Sequence, residues 1–164
     1  MEKHDNEYQQ KMMELVRDTF QLNAFLDNCA YHLDFYNLPV TQDIVHHKFA
    51  HLAPGWADEI TEFLSTQGVR SVRLGLSDEI TDYDNITLVF NDMYDTFVKY
   101  TDEILDMIEF CEFKNETRTK IFLENFVSSL NIYLKQTRIW KDKINSYGDD
   151  IVSFDKDFSK FTII

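Results

Sequence analysis

A single apolar stripe through the first helix-length segment constrains the fold more than any other feature of the chain. Its members are separated alternately by four and three residues, the repeat of a long helix packed along its neighbours at a shallow angle. They are Tyr8, Met12, Leu15, Thr19, Leu22, Leu26, Cys29, Leu33 and Tyr36. Every member except Thr19 can line an apolar core, and Asn37 with Pro39 is expected to end the helix. The stripe therefore predicts the first helix of a helical bundle.

A second helix is predicted between Thr41, which is suited to the N-cap position, and Gly68, which is suited to a C-terminal stop. Pro54 and Gly55 interrupt its apolar pattern. Proline inside a helix removes one backbone hydrogen bond and clashes with the preceding turn. We therefore expect a kink or a break at this point.

Two more apolar stripes predict a third helix over residues 86–111 and a fourth helix that begins at an Asn115 N-cap. The connection at residues 69–85 is long enough to cross the bundle, with a short helical turn near residues 78–83. We predict an all-α, ferritin-like four-helix bundle with a crossover connection between helices two and three. An up-down-up-down bundle with a long loop is the alternative.

The chain length of 164 residues predicts one domain. Residues 1–6 are expected to be a frayed start. Residues 149–164 form an aromatic tail with three phenylalanines, which we expect to dock on the bundle or on a neighbouring subunit. Cys29 and Cys111 lie in apolar helical patterns, which favours buried, reduced thiols.

Charge and hydropathy argue against several classes of partner. The formal net charge of −13 repels phosphate backbones and neither end is basic, so direct DNA binding is not expected. No apolar run approaches the ~18 residues that span a bilayer, and no signal peptide is recognised. We therefore expect a cytoplasmic protein without a membrane partner. Neither a glycine-rich phosphate loop nor the Glu-x-x-His motif of di-iron bundles occurs in the sequence.

Two stretches of the second helix carry metal-type ligands at helical spacing. The first contains Asp43, His46 and His47, and His51 follows four residues after His47. The second contains Asp58 and Glu62. Side chains three or four residues apart share a helix face, and imidazole with carboxylate suits iron, zinc or manganese. A solvated polar face is the ordinary alternative for each stretch.

The second-helix stretches resemble the Dps family, the miniferritins. Residues 45–49 resemble the apolar-His-x-x-Phe segment of that family. Asp58-x3-Glu62 followed by Gly68 resembles its Asp-x3-Glu signature with a glycine stop. His32 stands near the end of the first helix, where the family keeps another ligand histidine.

The resemblance implies a homo-oligomeric shell of twelve subunits that binds iron, oxidises Fe²⁺ to Fe³⁺, usually with hydrogen peroxide, and stores the ferric mineral. It also implies a role in protection against oxidative stress. His32 and His46 would be the ligands from one subunit, and Asp58 and Glu62 the ligands from its twofold mate.

The chain departs from the family pattern at two places. The position four residues after the second-helix histidine, acidic in the family, is Ala50, and Pro54 interrupts a helix that the family keeps continuous. When the second helix is instead aligned to the family pattern without a gap, Asp43 and His47 occupy the ligand positions. In that register a carboxylate stands where the family has an imidazole, and an imidazole where it has a carboxylate. Both registers alter the site. We therefore expect weakened ferroxidase activity or, alternatively, a bundle with a decayed site that acts as a structural or interaction protein.

Overall fold

The computed structural model describes residues 4–164, and these form helices with no β-strand among them. In chain order the elements are α1 (Asn6–Phe35), α2 (Pro39–Asp43), a π-helix (Ile44–Ala50), α3 (Leu52–Thr66), α4 (Ile86–Phe113), α5 (Thr117–Ser129), α6 (Asn131–Tyr147), α7 (Ile151–Asp157) and a 3₁₀ helix (Phe158–Phe161). The second long helix is built from α2, the π-helix and α3. The fourth is built from α5 and α6, which meet at Leu130.

The connection between the second and third long helices, residues 67–85, is called the strap here. It lies along α1 and runs in the same direction. The backbone N–H of Ser77 donates to the Gln21 side chain (2.9 Å), and the Asn28 side chain donates to the Thr81 carbonyl (3.2 Å). The strap thus returns the chain to the end at which the second helix began, so α3 and α4 run parallel. The predicted crossover is confirmed, and the up-down-up-down alternative is wrong.

The second helix begins earlier than predicted. Asn37 adopts a left-handed conformation (φ 59°) and ends α1 as expected. Pro39 then opens α2, two residues before the predicted N-cap Thr41. The fixed φ of proline suits the first position of a helix, where its missing N–H leaves no bond unmade.

Two further predictions of local structure are wrong. Asn115 does not cap the fourth helix, because it is left-handed (φ 58°) and α5 begins at Thr117 with Glu116 in the N-cap position. The short helical turn expected at residues 78–83 does not form. Side chains of α1 bond to the backbone of that part of the strap instead.

Thr19, the polar member of the first stripe, is fully buried against α4. Its hydroxyl donates to the Leu15 carbonyl (2.8 Å) and also bonds the Tyr100 hydroxyl (2.6 Å). Both polar groups are satisfied, so the stripe remains part of the core along its length.

The C-terminal residues pack onto the bundle through α7 and the 3₁₀ helix. Phe154 and Phe158 are fully buried, and the Phe158 ring centroid lies 5.0 Å from that of Trp140 on α6. The Asp155 carboxylate accepts a hydrogen bond from the Thr41 N–H (2.8 Å). The first N–H groups of a helix have no partner within it, so this tail residue supplies one to the second helix.

Residues 1–3 of the predicted frayed start lie outside the described residues. In the remainder, His4 Nδ1 lies 2.9 Å from the Glu116 carboxylate, and Asp5 caps α1 by accepting a backbone hydrogen bond. These contacts fasten the beginning of α1 to the turn before α5.

The two cysteine thiols are free and buried, as predicted. None of the helices in residues 4–164 combines the length and the apolar character that a membrane span requires.

Candidate metal centre

The middle of the bundle holds aromatic rings where a di-metal protein of this architecture holds carboxylates. Phe49, Trp56, Phe97 and Tyr133 pack together with ring centroids 5.1 to 6.5 Å apart. Di-iron bundles project glutamates and histidines from all four helices into this space. Among the described residues, Asp155 of α7 is the one aspartate or glutamate that is buried. Its carboxylate contacts the start of the second helix, away from this centre. The centre therefore does not fit a di-metal site.

The histidines of the second helix lie in the π-helix and directly after it. The N–H of His51 donates to the carbonyl of His46 (3.3 Å), five residues earlier. A turn closed by this i→i+5 bond is wider than an α-helical turn. Residues five apart, which an α-helix places on different faces, are thereby brought to the same face. Short π-helical segments occur frequently at functional sites.

Three imidazoles converge as a result. One ring nitrogen from each of His46, His47 and His51 lies within 4.8 Å of the others. The ring centroids of His46 and His47 are 4.5 Å apart, and their planes are inclined at 28°. We call these three residues the histidine cluster. Three imidazole nitrogens that converge in this way are donors that suit a transition-metal ion.

The expected break at Pro54 is absent, because α3 continues through it and the irregular turn lies before it. Pro54 is the third residue of α3, where a missing N–H is tolerated. It leaves the carbonyl of Ala50 without its usual helical donor. The side-chain amide of Asn23 donates to that carbonyl instead (2.8 Å), so α1 completes the backbone pairing at the end of the π-helix.

Two carboxylates border the histidine cluster. Asp43 Oδ1 lies 3.7 Å from Nε2 of His47, and both side chains are more than half exposed. Asp27, on α1, places Oδ1 at the same distance, 3.7 Å, from Nε2 of His46. Burial raises the pKa of the Asp27 carboxyl, and the nearby His46 and His51 oppose that rise. Asp27 was not predicted from the sequence, because it has no ligand-type neighbour at helical spacing on α1.

The structure does not join the other predicted ligands to this cluster. His32 donates from Nδ1 to the Asn28 carbonyl (3.0 Å), and its Nε2 accepts from the backbone N–H of Tyr83 in the strap (3.3 Å). Both of its nitrogens are thus engaged. Asp58 and Glu62 are exposed on α3. Within one chain, over residues 4–164, no group of three ligating side chains contains any of these residues.

A second pair of acidic groups lies in a cleft between α1 and α4. The Glu103 carboxyl, on α4, is partly buried and hydrogen-bonded to Asp18 of α1. Burial, followed by the hydrogen bond and the charge of Asp18, raises the pKa of Glu103 to about 9. The neutral form of Glu103 is therefore the one that the fold favours.

Replacing Glu103 by glutamine is expected to stabilise the protein at pH 8 and to have little effect at pH 5. The folded-state pKa is raised, so folding costs free energy once pH exceeds the unfolded pKa of ~4.3, and the cost grows until the folded pKa is reached. Glutamine mimics the neutral acid. After allowance for solvent screening we expect a gain of about 1 kcal/mol at pH 8.

Urea denaturation at both pH values measures this gain. Asp106→Asn, an exposed carboxylate one turn further along α4, is the matched control. A gain for Glu103→Gln that is equal at pH 5 and pH 8 would contradict the assignment.

No protein-family model matches the sequence, and no curated protein sequence matches it either. Solved structures match along its length. A humanized archaeal ferritin has a TM-score of 0.88 at 13% identity and covers 99% of both chains. An open-pore ferritin from the hyperthermophilic archaeon Archaeoglobus fulgidus has a TM-score of 0.88 at 14% identity and also covers 99% of both.

A closed form of the Archaeoglobus fulgidus ferritin, engineered by site-directed mutagenesis, has a TM-score of 0.86 at 16% identity. The match covers 96% of this chain and 97% of the ferritin chain. At these identities the likeness shows the fold alone. The chain is an all-α, ferritin-like bundle, as the sequence predicted.

Proposed function

We propose that this protein is a ferritin-like, iron-binding protein that takes up Fe²⁺ as its substrate at the histidine cluster. The observation that carries the proposal is the convergence of His46, His47 and His51 in a chain with the fold of ferritins. The ferritin fold supports iron storage as the purpose of that uptake. Fit to the metal is supported by the donor set, because imidazole nitrogen binds iron well.

The histidines of the cluster differ in their exposure to solvent. His46 is largely enclosed, with its side chain 24% exposed, whereas that of His47 is 54% exposed. His46 therefore fixes the inner side of the ion, and the outer side stays open to an oxidant. The net charge of −13 raises the local concentration of cations.

The finer form of the proposal is a Dps-like homo-oligomer in the cytoplasm. The resemblance of the second-helix pattern to the miniferritins supports twelve subunits, oxidation by peroxide and protection against oxidative stress. In that assembly Asp58 and Glu62 of one subunit would face the histidines of its twofold mate. Their exposure on α3 supports this role. Direct DNA binding is not part of the proposal.

A second candidate function is a non-catalytic bundle that serves as a structural or interaction protein. The aromatic centre favours it, because the interior that holds the di-iron site in related architectures is filled by Phe49, Trp56 and Phe97. In this case the histidine cluster is a solvated polar face.

Iron oxidation and retention decide between the two. Fe²⁺ and peroxide are mixed with the purified protein, and retained iron is measured after gel filtration. We expect oxidation faster than in buffer, and at least a tenfold loss for the triple variant His46→Ala, His47→Ala, His51→Ala. Removing even a residue that only supports a metal ligand costs 10–100-fold in affinity. A triple variant as active as the native protein would contradict the proposal.

The inter-subunit form has its own test. Asp58→Ala with Glu62→Ala is compared with Asp102→Ala with Asp106→Ala, which removes an equally spaced, exposed acidic pair from α4. Only the first pair should lower iron retention. Light scattering should give a mass near twelve subunits, and a monomer would refute the shell.

A further inference from the structure

One carboxylate oxygen beside the histidine cluster has no partner. Asp27 Oδ1 is enclosed by the protein, and no hydrogen-bond donor of the described residues reaches it. His46 Nε2 lies 3.7 Å away, beyond the 2.7–3.2 Å of an N–H···O hydrogen bond. Buried polar atoms are satisfied in nearly all folded proteins. This oxygen therefore requires an explanation.

The spacing matches two ligands of one ion. Metal–nitrogen bonds of ~2.0–2.1 Å and metal–oxygen bonds of ~2.0–2.2 Å at a tetrahedral angle put the two ligand atoms about 3.4 Å apart. The 3.7 Å between Asp27 Oδ1 and His46 Nε2 is close to that value. Asp43 lies equally far from His47, but its side chain is 67% exposed, so water satisfies its oxygens.

The position of Asp27 is fixed by the packing of α1 on the π-helix. Asn23, one turn earlier on the same face of α1, donates to the Ala50 carbonyl (2.8 Å) at the end of the π-helix. This bond sets the register between the two helices. It places Asp27 beside His46.

We propose that Asp27 joins His46, His47 and His51 in a mononuclear site for a divalent, late first-row transition-metal ion, with its carboxylate turning from His46 toward the other two imidazoles as the ion binds. The proposal rests on the proposed function, because it requires the histidine cluster to bind metal. It adds an anionic ligand from a second helix. Three imidazoles and one carboxylate are a donor set that zinc, cobalt and ferrous ions accept in four-coordinate geometry. The bound ion links α1 to the second helix.

Metal-free protein should tolerate the loss of this charge. Asn has the shape of Asp without its charge, so Asp27→Asn removes an unpaired, partly buried carboxylate. Its melting temperature without metal is expected to equal or exceed that of the native protein. A residue with a purely structural role would instead lower it.

Cobalt titration of the full chain tests the proposal, with Co²⁺ followed by its visible absorption. We expect Asp27→Asn to weaken Co²⁺ binding at least tenfold, to reduce the absorption of the four-coordinate ion, and to shrink the rise in melting temperature on Co²⁺ addition. Asp34→Asn, an exposed residue of α1 with the same charge change, is the matched control and should bind within twofold of the native protein.

Two results would overturn the inference while leaving the proposed function intact. One is native Co²⁺ affinity in Asp27→Asn together with loss of binding in the triple histidine variant. The other is equal weakening by Asp27→Asn and Asp34→Asn, which would indicate a general effect of charge. Absence of Co²⁺ and Fe²⁺ binding by the native protein would overturn both proposals.

Discussion

Replacing Phe97 by glutamate is expected to destabilise the protein by at least ~4 kcal/mol. Phe97 is fully buried on α4, with its ring centroid 5.7 Å from that of Phe49 and 6.1 Å from that of Trp56. A carboxylate in this space has neither water nor a cationic partner, and its desolvation costs several kcal/mol. The lost ring contacts add to that cost. Urea denaturation at pH 7 measures the free energy of unfolding.

Phe97→Leu is the matched control for this substitution, because it keeps the site apolar and should cost only about 1–2 kcal/mol. Adding Fe²⁺ should not restore the stability of Phe97→Glu, since no other described carboxylate is buried at the centre. Recovery of stability on Fe²⁺ addition would show that the centre accepts metal, and would contradict the assignment of the metal site to the second helix.

Replacing Trp140 by alanine is expected to cost about 3–5 kcal/mol. The indole is fully buried and joins three parts of the fold. Its ring centroid lies 5.7 Å from that of Phe49 in the π-helix and 5.0 Å from that of Phe158 in the tail. Its Nε1–H donates to the hydroxyl of Thr162 (3.2 Å). The truncation leaves a cavity and removes one hydrogen bond between α6 and the tail.

Denaturant unfolding of Trp140→Ala is compared with that of Phe113→Ala, whose side chain is 81% exposed at the end of α4. The control should change stability by less than ~0.5 kcal/mol. Because Trp140 contacts both the π-helix and the tail, hydrogen exchange should accelerate in both. Acceleration confined to α6 would argue that these elements do not depend on the indole.

The long helices were predictable because their apolar positions repeat at the helical period. The first helix ends before the left-handed Asn37, and the stripe is buried from Tyr8 to Leu33. Pro39 was placed wrongly because proline suits two roles, the stop after one helix and the first residue of the next. Only the three-dimensional course of the chain selects between them.

The π-helix could not be predicted, because it depends on a partner from another helix. Asn23 pairs the carbonyl that Pro54 leaves open, and the sequence of the second helix holds no sign of that donor. A π turn adds about one residue to the helix. The repeat of apolar positions before the π-helix is therefore shifted by about one residue relative to the repeat after it. For this reason the sequence supported two alignments, one with His46 and one with His47 as the ligand.

Whether the other site residues could be predicted also depended on whether their neighbours lie on the same helix. His47 and Asp43 were found from their spacing, and the structure keeps them within 3.7 Å. Asp27 was missed because its nearness to His46 arises from helix packing alone. His32 was selected by its place at the end of α1, but the strap takes one of its ring nitrogens, and the route of an irregular segment has no periodic signature.

The strap divides the chain into two helical hairpins, residues 6–66 and 86–147. It is the covalent link between them. Peptide-bond cleavage within it would leave each hairpin covalently whole, with its own short turn. Association of the two fragments would then be bimolecular, so the stability of the cut protein would rise with its concentration. The bundle is thus suited to fragment complementation, with the two hairpins expressed as separate polypeptides.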